Sequence, residues 1–180
     1  MTRFVALFRG INVGKAKRVA MADLRALLES LGYTDVQTLL NSGNAVFESP
    51  IESAEKHAHG IRDAVAKKLG VDSLVIVKSA SEIAAVVAGN KLAATATDAS
   101  RLLVAVPTHA GALKNIEALG RTGWGEEEVL IGKHAAYAWC PKGILQGKAG
   151  NALLKGLAEA GTTRNWATIE KLHALLRTGA

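Results

Sequence analysis

A chain of 180 residues, 49% apolar and 21% charged, is long enough for one domain or two small lobes and apolar enough for a buried core, which excludes a disordered polypeptide and a large multidomain enzyme. Its 22 Lys and Arg against 16 Asp and Glu leave +6, with 11 basic against 8 acidic residues on each side of residue 80, so the excess charge forms no basic tail. A single cysteine, Cys140, permits neither an intrachain disulfide framework nor a thiolate zinc cage.

The first predicted element is a largely buried strand, Arg3 to Phe8, bounded by Gly10. After a glycine-containing loop, Leu24, Leu27, Leu28 and Leu31 recur at i, i+3, i+4 and i+7, which predicts an amphipathic helix from Ala20, with Gly32 where a left-handed cap is wanted. Val36 to Leu40 and Ala45 to Glu48 flank Asn41-Ser42-Gly43-Asn44, residues that tolerate positive φ, so the two runs read as a hairpin. Ser53 is placed to cap a second helix carrying Ala54, Ala58, Ile61, Val65 and Leu69, with Gly70 ending it, and Leu74 to Val77 is again a strand. The order strand, helix, strand, strand, helix, strand is the ferredoxin-like βαββαβ plan.

The second half repeats it less cleanly. A short helix from Ser81 through Ile83, Val86 and Val87 precedes a strand, Leu102 to Val106, stopped by Pro107. Thr108 is expected to cap a helix bearing Leu113, Ile116 and Leu119 and ended by Gly120; a hairpin is expected around Gly132-Lys133-His134. Leu153, Leu154 and Leu157 mark one more helix, and Ile169, Leu172, Leu175 and Leu176 the last, while no segment reads clearly as a fourth strand. The fold class expected is α+β in two subdomains, the first ferredoxin-like and the second a degenerate version of it, with boundaries at 1–80, a helical linker at 81–100, and 101–180.

Most motifs that carry chemistry fail on spacing. Gly10-Ile11-Asn12-Val13-Gly14-Lys15-Ala16 has three residues between its glycines and Ala after its lysine, where a Walker loop needs four and a Ser or Thr, and no G-x-G-x-x-G is present. His57 and His59 lie two apart on a predicted helix and so face different ways, His134 reads as a hairpin residue, His109 and His173 have no carboxylate or thiol at ligand spacing, and no metal or cofactor is expected. No G-x-S-x-G elbow is present, and Cys140 reads as a small apolar filler. Glu126-Glu127-Glu128 reads as a solvated edge. An RNA-stacking sheet would need exposed aromatics on its first and third strands, and only Phe8 and Phe47 stand near those places.

What remains is a convergence of polar residues. In the ferredoxin-like plan the end of the first strand meets the start of the antiparallel third, which brings Arg9, Gly10 and Asn12 beside Asn41, Ser42 and Asn44. An arginine fork, carboxamides and a hydroxyl on one rim suit a phosphate, carboxylate or base edge, with Lys15, Lys17, Arg18 and the N-terminus of the following helix adding to an anion's welcome. The alternative is that Asn41 and Asn44 serve the turn and Arg9 ties the loops together. Arg164 and Asn165, before the last helix, read either as part of an N-cap with a buried Trp166 or as a second anion-facing group.

These residues also carry a resemblance. Arg9-Gly10-Ile11-Asn12-Val13-Gly14, Met21 with Leu24-Arg25, Ser42-Gly43-Asn44 with Val46-Phe47, and Thr162-Thr163-Arg164-Asn165-Trp166 with Lys171-Leu172, in that order, resemble the signatures of a bacterial family of uncharacterised proteins, domain of unknown function 1697. The chain departs from the family's pattern at Lys15, where a second glycine is common, and at Gly147, where a serine often stands. The resemblance implies a cytosolic protein of two α+β subdomains and no established activity. No stretch approaches the ~18 apolar residues of a membrane span, and the start has too short an apolar run for a secretory signal, so a cytoplasmic setting without membrane contact is expected. The function expected is a binding module for a phosphate-bearing or otherwise anionic ligand, a nucleotide or nucleic acid, held by Arg9, Asn12, Lys15, Asn41, Ser42, Asn44, Arg164 and Asn165. The alternatives are a small-metabolite enzyme with its site between the subdomains and a protein–protein interaction module; the sequence fixes neither a reaction nor an oligomeric state.

Overall fold

A computed structural model describes residues 1–178. The chain divides into two compact units: Met1–Ser81, joined by residues 174–178, and Glu82–His173.

The first unit runs β1 (Thr2–Phe8), α1 (Met21–Ser30), β2 (Thr34–Thr38), β3 (Asn44–Ser49), α2 (Ala54–Leu69) and β4 (Val75–Ser79). Its sheet has the order β2-β3-β1-β4 with antiparallel neighbours throughout, which is the ferredoxin-like arrangement. Period-2 alternation puts Phe4, Ala6 and Phe8 of β1 in one core with Phe47 of β3, Leu24 and Leu28 of α1, and Ile61 and Val65 of α2. Each fully buried Phe or Leu there contributes about 1.5–3 kcal/mol. Both Phe8 and Phe47 are core residues, so the sheet offers no stacking platform from them. The α2 ends follow the sequence: Ser53 Oγ accepts from the Lys56 N–H at 3.3 Å, and Gly70 closes the helix at φ 67°. His57 lies buried on the core side of α2 while His59 is exposed. Its Nε2–H donates to the Ile51 carbonyl at 2.8 Å, which leaves Nδ1 to accept from the Tyr33 hydroxyl at 2.9 Å.

In the second unit α3 (Ala80–Ala88), which begins at the end of the first, and two short 3₁₀ turns (Lys91–Ala94, Ala99–Arg101) lead into β5 (Leu102–Pro107). A 3₁₀ helix (Ala110–Arg121), β6 (Glu128–Ile131), β7 (Ala136–Trp139), α4 (Lys148–Leu157), a turn at Ala158–Ala160, β8 (Gly161–Asn165) and α5 (Trp166–Arg177) follow. The sheet order is β6-β7-β5-β8, the same arrangement as in the first unit.

Three expectations are corrected here. The missing fourth strand is β8, paired antiparallel to β5 with Ala105 opposite Thr163 and Val104 opposite Arg164. Its polar sequence hid it, because an edge strand needs no continuous apolar run. The helix after β5 is 3₁₀, not α: Leu113, Ile116 and Leu119 are spaced by three, which matches three residues per turn, and Gly111 and Gly120 weaken an α-helix. Thr108 does not cap it; its N–H donates to the Ala160 carbonyl at 2.8 Å and its hydroxyl reaches the same oxygen at 3.3 Å.

Candidate functional site

The rim of the first unit is built by β1 pairing with β3. Leu7 lies opposite Asn44, and the Phe8 N–H donates to the Gly43 carbonyl at 2.9 Å, so the chain leaving β1 runs beside the turn that enters β3. Gly43 is required at this approach: it sits at φ 85°, and a Cβ there would come within 2.5 Å of Ile11 Cδ1.

Asn12, at φ 55°, is the knot between the two loops. Its Nδ2 donates to the Val19 carbonyl at 2.8 Å and to the Asn41 carbonyl at 2.7 Å, and its Oδ1 accepts from the Val19 N–H at 2.8 Å. Both carboxamide donors are therefore committed inside the protein. Asn44 is fully buried, and its Nδ2 donates to the Leu39 carbonyl at 2.8 Å and to Ser42 Oγ at 3.2 Å. These two carboxamides hold the shape of the rim, whereas Asn41 and Ser42 are exposed along it. Arg9 is half-buried, its main chain fixed by its N–H to the Leu74 carbonyl at 2.9 Å and by the Ser73 hydroxyl donating to its carbonyl at 2.8 Å. Lys15 is exposed in the loop and makes no ion pair among the described residues.

Between the loops lies a depression of about 250 Å³ lined by Asn12, Arg18, Val19, Ala20 and Asn41. Ala20 is the N-cap of α1 and has no side chain to accept from the first-turn N–H groups, so those donors lack a capping oxygen at the edge of the depression. From residue 1 to residue 22 the chain carries Arg3, Arg9, Lys15, Lys17 and Arg18 and no acidic residue, and Asp23 follows in the first turn of α1. The neighbouring Asp72 is engaged elsewhere: a hydrogen bond from Arg62, at 2.7 Å from Nε, holds its carboxyl below the usual range, with the charge of Lys17 adding to the effect.

Arg164 and Asn165 stand in the second unit, and each has a local role. Arg164 is buried on β8, its Nη1 donating to Thr162 Oγ1 at 3.1 Å and to the Thr163 carbonyl at 2.8 Å, and burial pushes its guanidinium down to about 10. Asn165 Oδ1 accepts from the Thr168 N–H at 2.9 Å, the capping bond of α5, with Trp166 buried beside it.

One acidic group departs from the solvated edge expected of it. Glu127 is no solvated edge: its carboxylate accepts from the Lys148 N–H at 3.1 Å and from the Ala149 N–H at 2.7 Å, capping α4, whose own N-cap Gly147 has no side chain to do so. Gly147 was the available signal, since a helix start without a capping side chain needs an acceptor from elsewhere. Glu126 pairs with Lys142 at 2.5 Å, and that hydrogen bond holds its carboxyl below the usual range. Cys140 is buried, and desolvation, with the Glu127 charge adding, pushes its thiol up, which is the opposite of an activated nucleophile. Among the described residues no three His, Cys, Asp or Glu are grouped to hold a metal ion, and no helix is long and apolar enough to cross a membrane.

No curated protein matches the chain. Among solved structures, a conserved bacterial protein, SP0830 from Streptococcus pneumoniae, is similar along almost the whole length: 26% identical, with a TM-score of 0.79 over 98% of this chain and 99% of that one. Residues 1–137 match the model of a family described as protein of unknown function, DUF1697, a span that contains the entire rim and ends midway along β7. The chain belongs to this family.

Proposed function

We propose that the protein is a binding module for a phosphate-bearing anion, seated in the depression at the start of α1. Arg18 and the uncapped N–H groups of the first turn bind the anion, Lys15 and Arg9 add positive potential from the loop and rim, and Asn12 and Asn44 keep the two loops in register. Arg164 and Asn165 have no part in it. The observation that carries the reading is the coincidence, in one depression with no acidic residue in its lining, of a guanidinium and a helix start with no capping side chain. With no carboxylate, imidazole or thiol lining that depression, binding rather than proton transfer is the chemistry its residues support.

The test is calorimetric titration of the protein with inorganic pyrophosphate at low salt, for wild type and for Arg18→Ala. Losing charge-assisted hydrogen bonds worth about 1.5–3 kcal/mol weakens binding by roughly tenfold or more. Binding that is absent in wild type, or equally tight in Arg18→Ala, contradicts the reading.

A further inference from the structure

The two units share one topology, and each has a depression at the same place in it. In the first unit the walls are the segment after the first strand, Asn12 and Arg18 to Ala20, and Asn41 of the turn between the second and third strands. In the second unit a depression of about 250 Å³ is walled by Ala110, Leu113, Lys114 and Glu117 of the 3₁₀ helix after β5, and by Ile131, Gly132 and Lys133 of the turn between β6 and β7.

We infer that this second depression is a further anion site, formed by Lys114 and Lys133, for a ligand bearing two or more phosphate charges. The ligand class rests on the reading above; the location does not. Both lysines are exposed and neither makes an ion pair among the described residues, while the one acidic lining residue, Glu117, has its Oε1 engaged by Arg121 Nη2 at 3.1 Å. The pocket's charge is therefore positive and uncommitted. Gly132 shapes the turn closely: a Cβ there would lie 3.0 Å from the Ala135 carbonyl oxygen and 3.2 Å from Tyr137 Cε2, so a larger residue would displace the wall that carries Lys133. The means of recognition differ between the units. The first has a planar guanidinium and helix-start donors, whereas the second has two ammonium groups, one on the 3₁₀ helix and one on the β6–β7 turn, which act as point charges without directional forks. They favour a compact, multiply charged phosphate over a planar carboxylate, and their attraction falls steeply with salt.

The experiment is a titration of ¹⁵N-labelled protein with inorganic pyrophosphate at low salt, following backbone amide shifts. Saturable shifts in residues 110–117 and 131–133 are expected, weakened at least fivefold in Lys114→Ala/Lys133→Ala and kept in Lys114→Arg/Lys133→Arg, with the shifts around residues 12–20 unchanged in both. Shifts around 12–20 alone would overturn this inference and leave the first site standing. Shifts at 110–117 and 131–133 alone would support it and remove the first site. Shifts that grow linearly without saturating, or that survive the double alanine substitution, would overturn it.

Discussion

Single side chains in this protein are mostly occupied in holding backbone in unusual places. Asn12 shows how: three hydrogen bonds from one carboxamide fix a residue at φ 55° and bind two loops. A residue that reads as a ligand group in the sequence is thus a positioning group in the fold. Tyr137 does similar work in the second unit, donating its hydroxyl to the Val86 carbonyl at 2.5 Å, in the last turn of α3, where helix carbonyls lack helical partners. Gly89 gives that hydroxyl its room, since a Cβ would lie 3.0 Å away. Burial pushes the phenol up to about 12 from an ordinary 10.0. A folded-state value above the unfolded one means that the folded chain keeps the proton longer, so this stabilisation is complete below about pH 10 and is lost as the pH rises through about 12. Tyr137→Phe, which strands the Val86 carbonyl, is expected to cost about 1–3 kcal/mol at neutral pH. Urea denaturation of both proteins across the alkaline range should show the gap narrowing between pH 10 and 12; a constant gap would contradict the assignment.

Among the elements, helix starts separate into those with an acceptor and those without. In α2 the acceptor is Ser53, in α5 it is Asn165, and in α4 it is the distant Glu127. The start of α1 has no such side chain. This contrast gives α1 its part in the proposed binding and assigns α4 a purely structural cap. Glu127→Ala should destabilise the protein by about 0.5–2 kcal/mol in urea unfolding, as the loss of a cap does, with no change in pyrophosphate affinity at the first rim. A variant as stable as wild type would show that the two N–H groups find another acceptor at no cost.

At the scale of the molecule, one plan is used twice, and the two copies were unequally legible. The first unit has Ser53 and Gly70 at the ends of a helix and a leucine stripe in α1, so propensity, pattern and turn chemistry all agree. The second copy hid its fourth strand in Gly161–Asn165, where Thr162 and Arg164 are buried polar residues on an edge strand and Asn165 doubles as a helix cap. The helix after β5 is legible as a helix, and the three-residue spacing of Leu113, Ile116 and Leu119 is its 3₁₀ signal. The antiparallel meeting of β1 and β3 followed from topology alone and placed Asn12 against Asn41, whereas the commitment of the Asn12 and Asn44 donors to backbone depends on distances that no sequence pattern carries. The most direct measurement for the central claim is a crystal of the wild-type protein soaked in sodium tungstate, a heavy oxyanion with the shape and charge of phosphate. The expected result is an anomalous peak within hydrogen-bond reach of Arg18 and the first-turn N–H groups of α1, absent from Arg18→Ala crystals; tungstate bound only at other surfaces would contradict it.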